Sequence, residues 1–247
     1  MRNDYLRLPF NPIKRAEEVE EMVMQGLKRK YYRFRYARYY GGIATLDAVG
    51  CCLLCAFCWN YFRNLNPEKY GKFYSAQEAS EKILKIVEKK WVNKVRVSGA
   101  EPILGRKSFR HLINLIELIL DKKSEITFIL ETNGIILGYR ENFCKRLANY
   151  PILVRVSLKG WDEKSFELIS GAEGKYFKFP LIALKNLRDY GVEAWPAIMH
   201  EIFGKEGRGK IREKLKEFGI SEIEEEYLEA YPFVLKNLKK RDVKIKY

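Results

Sequence analysis

The chain holds only two histidines and two glutamines in 247 residues, and most of its length has no cysteine. Four of its five cysteines, Cys51, Cys52, Cys55 and Cys58, fall within eight residues, and Cys144 stands apart. A disulfide framework would spread its cysteines along the chain, so this packing excludes one and reads as a metal site. Long apolar runs are missing too. Charges break every hydrophobic stretch within about 15 residues, short of a membrane span. The opening MRNDYLRLPFNP lacks the apolar centre of a signal peptide, so a cytoplasmic location with no membrane partner is expected. Acid is in deficit, with 32 Asp+Glu against 46 Lys+Arg and a formal charge of +14. That balance suits a polyanionic partner such as RNA, and equally a Lys/Glu-rich, thermophile-like surface.

What is present is enough for one large core, with 47% hydrophobic residues. No repeat or Gly/Ser linker divides the chain. Residues 16–29 carry apolar groups at helical spacing (Val19, Met22, Val23, Leu27), with acids first and bases last, as the helix dipole favours. From residue 43 onward strands and helices alternate. Strands are expected at 43–49, 94–98, 126–130, 152–158, 193–199 and 222–229. Helices are expected at 77–90, 108–120, 141–149, 163–169, 176–190 and 209–218. The fold class is therefore α/β, a partial (β/α)6 TIM-like barrel with parallel strands plus an N-terminal helical arm. The division is residues 1–40 as helix and basic-aromatic arm, 41–230 as the core domain, and 231–247 as a basic tail. Within the arm, residues 28–40 interleave six basic groups with six aromatics. The segment reads either as a scaffold covering the barrel edge or as a surface for single-stranded nucleic acid.

In such barrels chemistry gathers where strands end. The cysteine loop follows the first strand, Ser98-Gly99-Ala100-Glu101-Pro102 the second, Glu131-Thr132-Asn133-Gly134 the third and Ser157-Leu158-Lys159-Gly160 the fourth, and His200 closes the fifth. Three cysteines alone cannot complete a tetrahedral zinc site. A two-cluster ferredoxin run from Cys52 would need a cysteine where Phe62 stands. A cubane held by three thiolates keeps one iron open to a substrate or cofactor. The Gly204–Lys210 segment, Gly-x4-Gly-Lys, misses the magnesium-holding hydroxyl of a P-loop because Ile211 follows, though its backbone could still hold an anion.

Cys51-x3-Cys55-x2-Cys58 with Phe57 before the last cysteine, and the loops after it, resemble the radical S-adenosylmethionine (SAM) superfamily. The chain looks most like the activating enzymes of glycyl-radical proteins and related archaeal-type proteins. The resemblance covers roughly residues 43–200. It implies a [4Fe-4S] cluster on Cys51, Cys55 and Cys58, and SAM on the open iron. It implies an external one-electron donor of ferredoxin or flavodoxin type. The reaction implied is reductive cleavage of SAM to a 5′-deoxyadenosyl radical that takes hydrogen from a substrate, an oxidoreductase-type enzyme. Carried over position by position, it makes Phe57, Ser98, Gly99, Glu101, Glu131, Thr132, Asn133, Ser157, Lys159 and His200 cofactor-binding. Glu101 would receive the methionine ammonium, and Lys159 would pair with its carboxylate. Two positions depart from the family pattern: Ala100 replaces a glycine, and Ser157 replaces an acid. Cys52 permits a competing register, Cys52-x2-Cys55; the family spacing favours Cys51, with Cys52 and Cys144 as core. Too few cysteines remain for a second cluster. The substrate stays open among protein or peptide, RNA and small molecule. The alternative is an iron–sulfur electron-transfer or metal-binding module without SAM chemistry.

Overall fold

A computed structural model describes residues 7–246; the first six residues and residue 247 of the expected arm and tail lie outside them. The elements in order are α1 (Pro12–Val23), β1 (Met24–Gln25), β2 (Lys28–Ala37), β3 (Ile43–Ala48), α2 (Tyr61–Leu65), β4 (Lys72–Tyr74), α3 (Ala76–Lys90), β5 (Lys94–Ser98), α4 (Arg106–Lys122), β6 (Thr127–Thr132), α5 (Ile135–Tyr139), α6 (Glu141–Leu147), β7 (Ile152–Ser157), α7 (Glu163–Ser170), α8 (Lys178–Asp189), β8 (Glu193–Met199), α9 (His200–Lys216), β9 (Glu224–Glu226) and α10 (Pro232–Lys240). All strands join one sheet in the order β1-β2-β3-β5-β6-β7-β8-β9, with β4 also on β2. The six strands β3, β5, β6, β7, β8 and β9 pair parallel, and β1, β2 and β4 pair antiparallel. The sheet does not close, so the barrel is partial, as expected.

Strand alternation gives this sheet two different faces. One carries Leu46, Val95, Val97, Phe128, Leu130, Val154, Val156 and Ile198, all buried in the main core with the helices. The other carries Thr45, Asp47, Arg96, Ser98, Glu131, Arg155, Ser157, Trp195, Glu224 and Glu226, a polar inner wall. A small apolar cluster of Ala37, Ile43 and Ile129, with Tyr40, Leu153 and Trp195 against it, plugs the wall at the strand starts.

Four expectations are corrected here. The first helix starts earlier and stops at Val23, because Gly26, at φ 58°, makes with Leu27 a two-residue turn between β1 and β2. The expected arm is mostly strand β2, paired along Tyr31–Ala37 with β3. Its Arg29, Lys30 and Tyr31 are buried, three of the twelve basic and aromatic groups a nucleic acid would use. Residues 204–210 lie inside α9 rather than in a loop, so no backbone cradle forms there. The basic tail contains helix α10.

Candidate active site

The strand ends converge as the β/α alternation requires. The cysteine loop is clamped by backbone bonds, Leu54 N to Ser170 O at 3.0 Å and Ala56 N to Ile169 O at 2.8 Å, so the end of α7 holds it. Gly50, at φ 88°, opens the loop where a Cβ would strike Val19 and Val23. Cys52 and Cys55 are buried; Cys51 and Cys58 are partly exposed.

Two of the expected residues reach this loop from other rims. Asn133 donates its Nδ2 to Cys51 Sγ at 3.6 Å and to Cys52 Sγ at 3.2 Å. The Lys159 Nζ stands 5.1 Å from the Phe57 ring centroid and 3.9 Å from Glu226. Its charge acts on the Cys55, Cys51 and Cys58 thiols.

Glu101 is brought close but aimed inward. Its carboxylate accepts from Thr132 Oγ1 and Asn133 N, both at 2.8 Å, and from Ile103 N at 3.1 Å. Burial, with Cys51 next, pushes its carboxyl up to about 8, against those three bonds. The structure thus makes Glu101 and Thr132 the brace under Asn133. Gly99 sits at φ 82°, with Asp47 Cβ 3.2 Å from where a Cβ would lie, and its carbonyl accepts from Asn60 Nδ2 at 2.5 Å. Ser98 ends β5 beside Asp47.

Glu131 and Ser157 belong to the inner wall. Arg96 Nη1 donates to Glu131 at 2.6 Å, and Arg155 Nη1 to Ser157 Oγ at 2.9 Å. His200 is not brought to this group. Its Nδ1 lies 2.5 Å from Glu225, which Arg208 also holds, a cluster tying α9 to β9.

Other neighbours of the site carry no signature in the sequence motifs. Asn64 donates to Cys58 Sγ at 3.6 Å and takes Arg15 Nη2 on its carbonyl at 2.7 Å. Leu53 N points at Cys51 Sγ at 3.4 Å. Asp47, wholly buried, accepts from Arg33 Nε at 2.6 Å and Arg35 Nε at 2.7 Å. Asp47 had one signal available, its place on the polar face of β3 at every second residue.

The donor set fits an iron–sulfur cluster. N–H donors aim at the sulfurs of Cys51 and Cys58, and cations from Arg15, Lys159 and Arg241 surround the three cysteines, as an anionic group needs. The Cys52 thiol, as hydrogen-bond partner, holds Cys51 below the ordinary thiol range despite burial. Burial pushes Cys55 up to about 12 and Cys58 up to about 11, so both are protonated until a metal takes them. Among the described residues no three Cys, His, Asp or Glu side chains converge as ligands of one ion would. A cubane gives each thiolate its own iron corner and needs no such convergence. Cys52 is buried in the core against Asn133, and Cys144 packs in the core with its thiol toward the Leu137 carbonyl.

No curated protein sequence matches the chain. Among solved structures it is similar to native anSMEcpe with bound AdoMet, at 23% identity and a TM-score of 0.55 over 78% of this chain and 55% of that one. Streptococcus suis SuiB bound to the precursor peptide SuiA gives 16% identity and a TM-score of 0.55 over 95% and 52%. Spore photoproduct lyase complexed with dinucleoside spore photoproduct gives 12% and 0.58 over 78% and 58%. At these identities the likeness is one of fold, and the chain spans just over half the length of each. The model of the Radical SAM superfamily matches residues 46–218, from the strand before the cysteine loop to the end of α9, and the chain belongs to that superfamily.

Proposed function

We propose that the chain is a radical SAM enzyme that holds a [4Fe-4S] cluster on Cys51, Cys55 and Cys58 and binds SAM where the inner wall meets that loop. The observation that carries this reading is that Asn133 and Lys159, from two other rim segments, both reach the cysteine loop, Lys159 over its Phe57. When bound, the cluster and SAM together supply hydrogen-atom abstraction by a carbon radical. The chain's own residues bind and orient. Lys159 offers an ammonium to the SAM carboxylate, and Phe57 offers an apolar face to the adenine. Glu101 and Thr132 hold the Asn133 loop so that its amide stays on the sulfurs. The paired charges Arg96–Glu131 and Arg155–Glu224 make a rigid polar wall for a polar substrate. Reduction comes from an external one-electron donor. The solved relatives carry a precursor peptide in one case and a dinucleoside in another, and both a peptide and a nucleic-acid fragment are substrate classes this wall can face.

Anaerobic reconstitution tests the reading. About four irons per chain are expected, with 5′-deoxyadenosine released on reduction in the presence of SAM. Cys51→Ala, Cys55→Ala and Cys58→Ala each lose the chromophore, while Cys52→Ala and Cys144→Ala keep it. A full cluster in the Cys51 variant moves the register to Cys52. Lys159→Ala keeps its iron and binds SAM about tenfold to a hundredfold more weakly by titration calorimetry, the cost of a lost charge-assisted bond.

A further inference from the structure

A buried redox group exchanges electrons through a nearby surface, and α10 offers one beside the cysteine loop. The helix lies across the cysteine loop. At its start the Phe233 ring is 5.1 Å from Phe62, four residues after Cys58. Just past its end Arg241 Nη1 donates to the Ile169 carbonyl at 3.3 Å, the same carbonyl that receives Ala56 N. Val234 and Leu238 face the core. The opposite stripe puts Leu235, Lys236, Lys239 and Lys240 in water, and Phe62 and Tyr231 beside it are 50% and 47% exposed. Not one residue of Pro232–Lys240 is acidic. The helix dipole accounts for Lys239 and Lys240 at the C-terminal turn. It gives no reason to leave Leu235 in water on one flank of the helix and Tyr231 and Phe62 on the other.

We propose that this face of α10 with Phe62 is the docking surface for a small acidic one-electron carrier protein. The inference rests on the cluster assignment above and names the partner of that site. A row of lysines flanked by exposed apolar groups complements a carrier whose redox centre is ringed by carboxylates, and such pairs associate fast through small interfaces. RNA fits less well. The rings of Tyr231 and Phe233 are already stacked on each other at 4°, and Phe233 also packs on Phe62, which leaves few ring faces for bases. A flavodoxin docked here in its anionic hydroquinone state gives one electron to the cluster and leaves as the neutral semiquinone. No bond or proton changes on this chain.

Binding of an oxidised acidic flavodoxin to the reconstituted protein, followed by titration calorimetry, is the test. Replacing Lys236, Lys239 and Lys240 together by Glu weakens binding by at least about tenfold at low salt, with the difference fading toward roughly 0.5 M salt. The same charge change at Lys85, Lys89 and Lys122, exposed on α3 and α4, leaves affinity unchanged. Leu235→Ser weakens binding at every salt concentration. Iron content and bleaching by dithionite, a small reductant that needs no docking, report the cluster separately. A chain that holds no iron sinks the cluster assignment, while flavodoxin affinity still decides the docking surface. Equal affinity in the parent and the α10 triple variant overturns the proposal. So does a parent that binds no flavodoxin, or one that instead binds single-stranded RNA through these lysines.

Discussion

Arg15 lies buried against the cysteine loop, with no ion pair among the described residues and its Nε without a partner. Burial lowers its pKa, and the Cys51 and Cys52 sulfurs are the first charges that raise it again. A buried cation needs an anion nearby, and a thiolate-held cluster supplies one. His111 shows the opposite solution, a titratable group kept neutral. It is buried with Nδ1 on the Leu27 carbonyl at 2.8 Å and Nε2 at 3.0 Å from the Tyr31 hydroxyl. Burial, with help from Arg29, pushes it down to about 4 against the Leu27 bond. The unfolded chain therefore binds the extra proton first, and stability falls as pH drops from about 6.5 toward 4. At about 1.36 kcal/mol per pKa unit the loss is at most about 3 kcal/mol. His111→Gln keeps an acceptor for Tyr31 and should flatten that part of the stability–pH curve in urea titrations. A variant whose stability falls as steeply as the parent's between these pH values would remove His111 as the cause.

At the scale of elements, α9 is a helix with a break in it. Gly204 sits at φ 56° and ψ −171°, a region open only to glycine, and a Cβ there would meet Lys246 Cδ at 2.6 Å. Gly204→Ala should cost on the order of 1–3 kcal/mol in urea unfolding, while iron binding stays intact. A neutral Ala variant would mean that the kink relaxes freely. The same glycine shows what sequence reading reaches and where it stops. The parallel strands and their helices were legible because one face of each strand is apolar in alternation and each rim motif follows directly. The strands Lys94–Ser98 and Glu193–Met199 emerge with their expected bounds. Gly-x4-Gly-Lys imitated a phosphate loop because spacing cannot report that Gly204 bends a helix. The arm read either as a scaffold over the barrel edge or as a nucleic-acid surface, because charge and aromatic content say nothing about pairing. In β2 the rings of Tyr31 and Phe34 pack toward Tyr74, while Arg33 and Arg35 point to Asp47. Arg96 and Arg155 stayed invisible as site residues because a charged side chain two positions before a rim motif looks like any solvated charge until register places its partner across the wall.

The molecule as a whole is an open sheet, so one of its parallel strands has to be an edge. That strand is β9, three glutamates long, paired only to β8. Its backbone bonds are too few to hold it, and its side chains are like-charged. Arg155, two strands away, provides the anchor: Nε reaches Glu224 at 3.0 Å and Nη2 reaches Glu226 at 2.9 Å, while Trp195 Nε1 holds Glu224 at 2.6 Å. Burial works against that charge, but Glu226, Glu131 and Glu224 outweigh it and hold the guanidinium above its ordinary pKa. Glu226 in turn faces Lys159, so the edge strand is linked to the cysteine loop through a single side chain. Arg155→Gln should therefore release β9 without unfolding the rest. Amide exchange at Glu224–Tyr227 is expected to speed up by at least about tenfold, or about 1.4 kcal/mol of local stability, while β3, β5 and β6 keep their protection. In the same variant Lys159 loses the register of its carboxylate partner, so SAM affinity should fall although no direct ligand has changed. Exchange that rises evenly over all strands would show Arg155 to be a support of the entire core. Unchanged exchange at β9 would show that Trp195 and the β8 ladder suffice, and that the link from the open edge to the site does not exist.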